Sequence, residues 1–175
     1  RAGFRFLLFG LESACQETLT HIRKCGRAVN IENSVRMAKQ AGLEPHVTCM
    51  VGYPWETEAQ ARETIRLTRS LFDKGYIDSL QATIVIPYPG TPLFRECREK
   101  GWLKTEDWDR YDMREPVMKT PMPDDVLMAL TRGLYRSFLT PRFLWRKIRS
   151  IRRWSDLRYY WRAGLRVLGH LLDFR

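Results

Sequence analysis

HVTCMVGYPWET, residues 46–57, decides the fold. His46 to Val51 is an apolar, β-favouring run that stops at Gly52, so it reads as a strand. Thr57 and Gln60 then make a T-x-x-Q capping box. The helix it starts runs to about residue 73, with Ile65, Thr68, Leu71 and Phe72 on one face. The same grammar holds on both sides. Residues 4–9, FRFLLF, read as a buried strand stopped by Gly10, with helices over about 15–25 and 31–41 after it. The second of these carries Ile31, Val35, Ala38 and Ala41 at helical spacing and stops at Gly42. Residues 80–86, LQATIVI, read as a third strand, ended by Pro87, Pro89 and Gly90 before a short helix over about 92–100.

Alternation of this kind means an α/β fold with a parallel sheet and right-handed crossovers. Three apolar strands need neighbours on each side. The simplest reading of residues 1–103 is therefore the back half of a larger parallel (βα) barrel, a partial barrel of three C-terminal strands. Residues 104–122, rich in Trp, Asp, Tyr, Met and Pro without periodicity, read as an extended connection. Residues 123–175 read as a basic α-helical extension. Its helices are expected over about 123–139, where Pro123, Asp124 and Asp125 make a good start, and over 142–153 and 155–172. The chain opens with Arg1 and runs almost at once into a core strand. That implies further sequence upstream, including the other half of the same barrel.

A hydrophobic content of 44% marks a globular chain and excludes a disordered one. No apolar run approaches the roughly 20 residues of a membrane span. Cys15, Cys25, Cys49 and Cys97 match neither a zinc site nor a CxxxCxxC motif. Scattered thiols of this kind suggest a reducing, cytoplasmic compartment, with Cys49 an ordinary small core residue. The net charge of +10 is placed unevenly: residues 131–175 hold 12 basic and 2 acidic residues, and the rest of the chain is balanced. The basic character thus belongs to the tail.

The chemistry-bearing residues recur at one topological place. Gly10-Leu11-Glu12-Ser13 follows the first strand, Gly52-Tyr53-Pro54-Trp55-Glu56-Thr57 the second, and Pro87-Tyr88-Pro89-Gly90-Thr91-Pro92 the third. Loops at the carboxyl ends of parallel strands meet at one face, where ligands bind. The motifs FGLESACQETLTHIRKCGR, VTCMVGYPWET and TIVIPYPGTPL, in this order and spacing, resemble the fourth, fifth and sixth strands of radical S-adenosylmethionine (SAM) enzymes. The likeness covers roughly residues 4–103, and it is closest to the subgroup with an N-terminal cobalamin-binding domain. The segment Trp108-Asp109-Arg110-Tyr111 is similar to a post-barrel segment of that subgroup.

The resemblance implies roles. Glu12 would accept the ribose hydroxyls of SAM, Lys24 would meet its carboxylate and Thr48 would contact the ribose. Met50 would pack on adenine, with Gly52, Pro87 and Gly90 shaping the pocket. For each there is a plainer alternative: a helix cap for Glu12, a solvated lysine for Lys24, a buried strand threonine for Thr48, core packing for Met50. The strand-five pattern departs from the family's, with Thr48 and Trp55 at two of its usual positions. That leaves Glu56 serving either the ligand or the helix N-terminus. Without CxxxCxxC nothing in this chain ligates a [4Fe–4S] cluster, so the cluster is expected upstream, with cobalamin as a further candidate cofactor and this segment inactive alone. The whole enzyme would cleave SAM reductively to a 5′-deoxyadenosyl radical, or transfer a methyl group through cobalamin, on a small-molecule or lipid-derived substrate.

The tail admits a second class of function. Arg142, Arg146, Lys147, Arg149, Arg152 and Arg153 interleave with Phe143, Leu144, Trp145, Ile148, Ile151 and Trp154, and Leu157, Trp161, Leu165, Leu168 and Leu172 recur every three or four residues. Basic amphipathic helices with boundary Trp suit an anionic membrane surface, which would place the protein peripherally at a membrane. A helical subdomain with a solvated basic face is the alternative, and nucleic acid ranks third because no recognised binding motif is present. A non-catalytic interaction module acting through this tail thus stands beside the enzyme reading.

Overall fold

The computed structural model describes residues 3–137 and, beyond them, positions 141, 145, 148, 149, 151, 154, 158, 161, 162 and 164. The chain divides into two compact units, Arg1–Phe138 and Leu139–Arg175. The expected helices over 142–153 and 155–172 lie largely outside the described residues. No helix among the described residues is long and apolar enough to cross a membrane.

The first unit is α/β. Strands β1 (Phe6–Glu12), β2 (Glu44–Val51) and β3 (Ser79–Ile84) form one sheet in that order. Both pairings are parallel, with Phe9 opposite Val47 and Val47 opposite Leu80. Helices α1 (Gln16–His21) and α2 (Ala28–Gln40) connect β1 to β2, and α3 (Glu58–Asp73) connects β2 to β3. Helices α4 (Pro92–Glu99) and α5 (Asp124–Ser137) follow.

Local chemistry sets these boundaries. At α3 the Thr57 hydroxyl accepts from the Gln60 N–H at 3.4 Å, and the Gln60 side-chain oxygen accepts from the Thr57 N–H at 2.9 Å, closing the expected capping box. Helix α4 starts on Thr91, whose hydroxyl accepts from the Phe94 N–H, with Pro92 at a position that needs no donor. Asp124 and Asp125 fill the first turn of α5. The apolar spacing in α2 begins only at Ile31, so its first turn from Ala28 is invisible to periodicity.

The sheet is two-faced. On β2, Pro45, Val47, Cys49 and Val51 are buried, while Glu44, His46, Thr48 and Met50 are only partly covered. Helix α2 contacts β1 and β2, α3 contacts β2, and α5 contacts β3 and α3. The sequence reading of 4–9 as a buried strand needs correction: Phe4, Phe6, Leu7 and Leu8 are all exposed, Phe4 by 76% and Leu8 by 59%. The cause is position. β1 is an edge, paired only with β2 among the described residues, and an open apolar edge is a surface that proteins normally cover.

Residues 102–122 fold onto the same unit through backbone pairing and single apolar insertions, which carry no period. The Lys104 N–H donates to the Val117 carbonyl and the Lys119 N–H to the Trp102 carbonyl, around an antiparallel bridge between Leu103 and Met118. Tyr111, Val117, Met118 and Met122 are buried with Val51, Tyr53, Ile84, Cys97 and Leu127 in one core. The four cysteines are free thiols, and Cys49 and Cys97 are buried.

Candidate functional site

The carboxyl ends of the three strands lie along one edge of the sheet, where β1 behaves unlike its neighbours. It continues two residues past Gly10, with an irregularity between Gly10, opposite Thr48, and Glu12, opposite Cys49. Leu11 drops into the core, and Glu12 takes a left-handed backbone with φ of 61°. Such a conformation costs a non-glycine residue roughly 1–3 kcal/mol and persists only where surroundings enforce it. Here it sends the carboxylate back over Gly10, and Glu12 Oε1 accepts from Lys24 Nζ at 2.8 Å. An added Cβ on Gly10 would run into that carboxylate oxygen and would sit 2.7 Å from Lys24 Nζ. Glycine at position 10 thus leaves room for the Glu12 carboxylate and the Lys24 ammonium, and nothing in its own backbone calls for it.

Lys24 reaches this spot because α1 ends early. Arg23 is left-handed, with φ of 55°, and the Lys24 N–H closes the turn onto the Leu19 carbonyl at 2.8 Å. The intervening loop is pinned to α3: the Ala14 N–H donates to the Thr64 hydroxyl oxygen at 2.9 Å, and the buried Ser13 and Thr64 hydroxyls lie 3.4 Å apart. The expected helix over 15–25 is thus a six-residue helix and a reversal.

The loop after β2 is built around Glu56, which is fully buried. Its Oε2 accepts from the Gly52 N–H at 2.6 Å. Burial pushes the Glu56 carboxyl up to about 7, against the pull of the nearby Gly52 and Tyr53 backbone N–H groups toward its charged form. It serves its own loop, and α3 takes its cap from Thr57. Gly52 is left-handed, with φ of +90°, and a Cβ there would sit 2.7 Å from Leu127 Cδ2 of α5. Burial raises the Tyr53 phenol and pushes the Cys49 thiol up to about 12, with the negative charges of Glu12 and Glu56 adding to both.

An aromatic cluster joins this loop to α1 and α4. His21 stacks on Trp55 with ring centroids 3.7 Å apart, Trp55 stacks on Tyr53 at 5.5 Å, and His21 Nε2 lies 3.2 Å from Glu96 Oε2. Three buried polar atoms in this loop have no hydrogen-bond partner among the described residues: Tyr53 Oη, Trp55 Nε1 and Glu56 Oε1. The Tyr53–Glu56 motif is visible in the sequence, but the stack it forms is not. His21 gave no sequence signal, since its partners come from residues 55 and 96.

Among the residues singled out from sequence, the structure brings Glu12 and Lys24 into an ion pair above Gly10, beside the row containing Thr48. Thr48 lies opposite Gln81, and Met50 opposite Thr83, on the partly open face of β2, with Met50 packed against the core. Gly52 is buried at the mouth of α5 and Pro87 is buried at the end of the third strand. Gly90 is exposed, with φ of +86° and open space around its Cα. It belongs to a turn whose carbonyl accepts from Arg95 Nη1 at 3.1 Å.

No protein-family model matches the chain. It is 33% identical over 144 residues to an uncharacterized methyltransferase of Pyrococcus horikoshii, covering 81% of this chain and 30% of that protein. It is 29% identical over 128 residues to the bacteriochlorophyllide d C-8(2)-methyltransferase of Chlorobaculum tepidum, covering 72% of this chain and 28% of that enzyme. It is 27% identical over 133 residues to the anaerobic magnesium-protoporphyrin IX monomethyl ester cyclase of Cereibacter sphaeroides, covering 76% of this chain and 20% of that enzyme. The chain spans less than a third of the length of these curated relatives. Along most of its own length it is similar to part of enzymes named as methyltransferases and as a cyclase.

Proposed function

We propose that the chain is the second half of the barrel of a radical SAM enzyme and that the open face of its sheet forms the ribose, adenine and carboxylate side of the SAM site. The observation that carries this reading is the Glu12–Lys24 pair held above Gly10 at the carboxyl edge of a parallel sheet. Glu12 Oε2 has no protein partner among the described residues, so the carboxylate retains acceptors for the two ribose hydroxyls. Lys24 has two further N–H donors for the ligand's carboxylate. Thr48 and Met50 lie on the partly open face of the neighbouring strand, where one offers a hydroxyl and the other an apolar contact to the adenine.

The exposed edge of β1 supports the barrel reading, since Phe6, Leu7 and Leu8 are what a further parallel strand would cover. The remaining strands, and the ligands of a [4Fe–4S] cluster, would come from polypeptide outside these residues. Among the described residues no group of three or more His, Cys, Asp or Glu could hold a metal ion. SAM bound beside such a cluster supplies a 5′-deoxyadenosyl radical or a methyl group, and the methyltransferase names of two relatives favour the second. This chain's own residues bind, orient and shield. Glu12 and Lys24 fix the ribose and carboxylate ends, and the Glu56 clasp holds the loop that closes the second strand.

Calorimetric titration of the intact enzyme with SAM tests this. Glu12→Ala removes a charged acceptor and should weaken binding by about 1–3 kcal/mol. Unchanged affinity would remove Glu12 from the site.

A further inference from the structure

Glu12 sits at the centre of a three-residue turn. The Ser13 N–H donates to the Leu11 carbonyl at 2.8 Å, and Glu12 has a φ of 61°. That is close to the φ of about +75° of the left-handed γ-turn, a rare and strained form. A glutamate holds it only where its surroundings enforce it. Two buried hydroxyls do so here. Ser13 and Thr64 are both fully buried. The Ser13 hydroxyl accepts from the Cys15 N–H at 3.1 Å, and the Thr64 hydroxyl, in the second turn of α3, accepts from the Ala14 N–H at 2.9 Å. Thr64 donates its own proton to the Gln60 carbonyl at 3.3 Å, and its oxygen lies 3.4 Å from that of Ser13. With its proton placed inside α3, Thr64 turns its lone pairs to residues 13 and 14.

This clamp grips the two residues directly after Glu12. Without the Thr64 oxygen the partly buried Ala14 N–H has no acceptor, and the turn is free to open toward the extended backbone that a glutamate prefers. Opening redirects the side chain of Glu12 and takes its carboxylate away from Lys24 Nζ, which it now meets at 2.8 Å. We propose that Thr64 is a positioning residue for SAM: with Ser13 it holds the strained turn at Glu12 and so sets the aim of the Glu12–Lys24 pair. Thr64 touches no ligand and acts through Glu12, so its role rests on the assignment of Glu12 to the ribose. Helix α3 thereby ties two loops of the carboxyl edge together. Its Thr57–Gln60 box starts it at the end of the loop after β2, and one turn later Thr64 fixes the loop after β1.

A double-mutant cycle on the intact enzyme, read by calorimetric titration with SAM well below the melting transition of each variant, tests the proposal. Thr64→Val keeps the shape and removes the hydroxyl, and should weaken SAM binding about tenfold. Thr64→Ser restores the hydroxyl and should bind within about threefold of the parent. In a Glu12→Ala background Thr64→Val should cause no further loss, because the carboxylate that it aims is gone. Should Thr64→Val fail to fold, Ser13→Ala breaks the other half of the clamp and should weaken binding about fivefold. Parental affinity in Thr64→Val or, in its place, in Ser13→Ala, beside a weakened Glu12→Ala, would overturn the positioning role and leave the SAM site standing. An equal loss from Thr64→Val with and without the Glu12 carboxylate would overturn it too, since that marks a threonine that only supports the fold. Unchanged affinity in Glu12→Ala itself would bring down the assignment of Glu12, and the role of Thr64 with it.

Discussion

Gly10→Ala separates the fold from the site. At Gly10 the backbone needs no left-handed conformation, and the nearest atoms that a Cβ would crowd among the described residues are the carboxylate of Glu12 and Lys24 Nζ, the latter at 2.7 Å. Ordinary contact to a Cβ is about 3.5–4.0 Å, so Lys24 Nζ must retreat by roughly 1 Å and the carboxylate with it. Both are the ends of flexible side chains, so the move costs little. Replacing glycine also restricts the unfolded chain, which stabilises by about 0.4–1 kcal/mol where the native backbone tolerates Ala. The fold should thus be unchanged or slightly more stable in urea melts. Ligand binding should suffer instead, because a charged pair displaced by 1 Å loses its aim on the ribose and carboxylate. The expected loss is about 1–3 kcal/mol in SAM affinity, or roughly 5- to 150-fold in Kd. Titration of the intact variant with SAM, beside a urea melt of the same preparation, reads both quantities. Full affinity with full stability would refute the claim that the Glu12–Lys24 pair is the binding element.

Gly52→Ala should do the opposite and destabilise by about 2–5 kcal/mol in denaturant melts, since it combines a φ of +90° with a Cβ 2.7 Å from Leu127. Thr64→Val removes the acceptor of the Ala14 N–H and should cost about 1–3 kcal/mol by the same measurement. Glu56 gives a pH signature. Its carboxyl is raised to about 7 in the folded chain from an ordinary 4.5. The folded state therefore holds this proton where the unfolded state has released it, and stability falls as pH rises from about 4.5 to 7, by on the order of 3 kcal/mol. Glu56→Gln should abolish that slope in melts between pH 5 and 8 relative to the parent, and a parallel decline in both proteins would show that Glu56 is not its source.

The sequence revealed the β2–α3 unit almost completely, because an apolar run, a terminating glycine and a capping box are local signals. Thr57 and Gln60 close that box as their spacing requires. The order and direction of the three strands followed from the same alternation. The end of β1 was not legible. Gly10 looks like a strand stop, yet the strand continues to Glu12 because the glycine's role is to make room for side chains 2 and 14 positions further on. The exposure of Phe6 to Leu8 was equally hidden, since composition shows that a strand is apolar but not which neighbour covers it. The same limit applies to Gly52, whose close neighbour Leu127 lies 75 positions away. It applies also to the His21–Trp55–Glu96 contacts, which only the folded loops bring together.

On the reading proposed above, the carboxyl edge of this sheet binds the ribose and amino-acid ends of SAM. A crystal structure of the intact enzyme with SAM tests it most directly. Both ribose hydroxyls are expected within about 3 Å of the Glu12 carboxylate oxygens and the ligand's carboxylate on Lys24 Nζ, with the adenine against Met50. SAM bound elsewhere, with the Glu12–Lys24 pair left facing solvent, would contradict it.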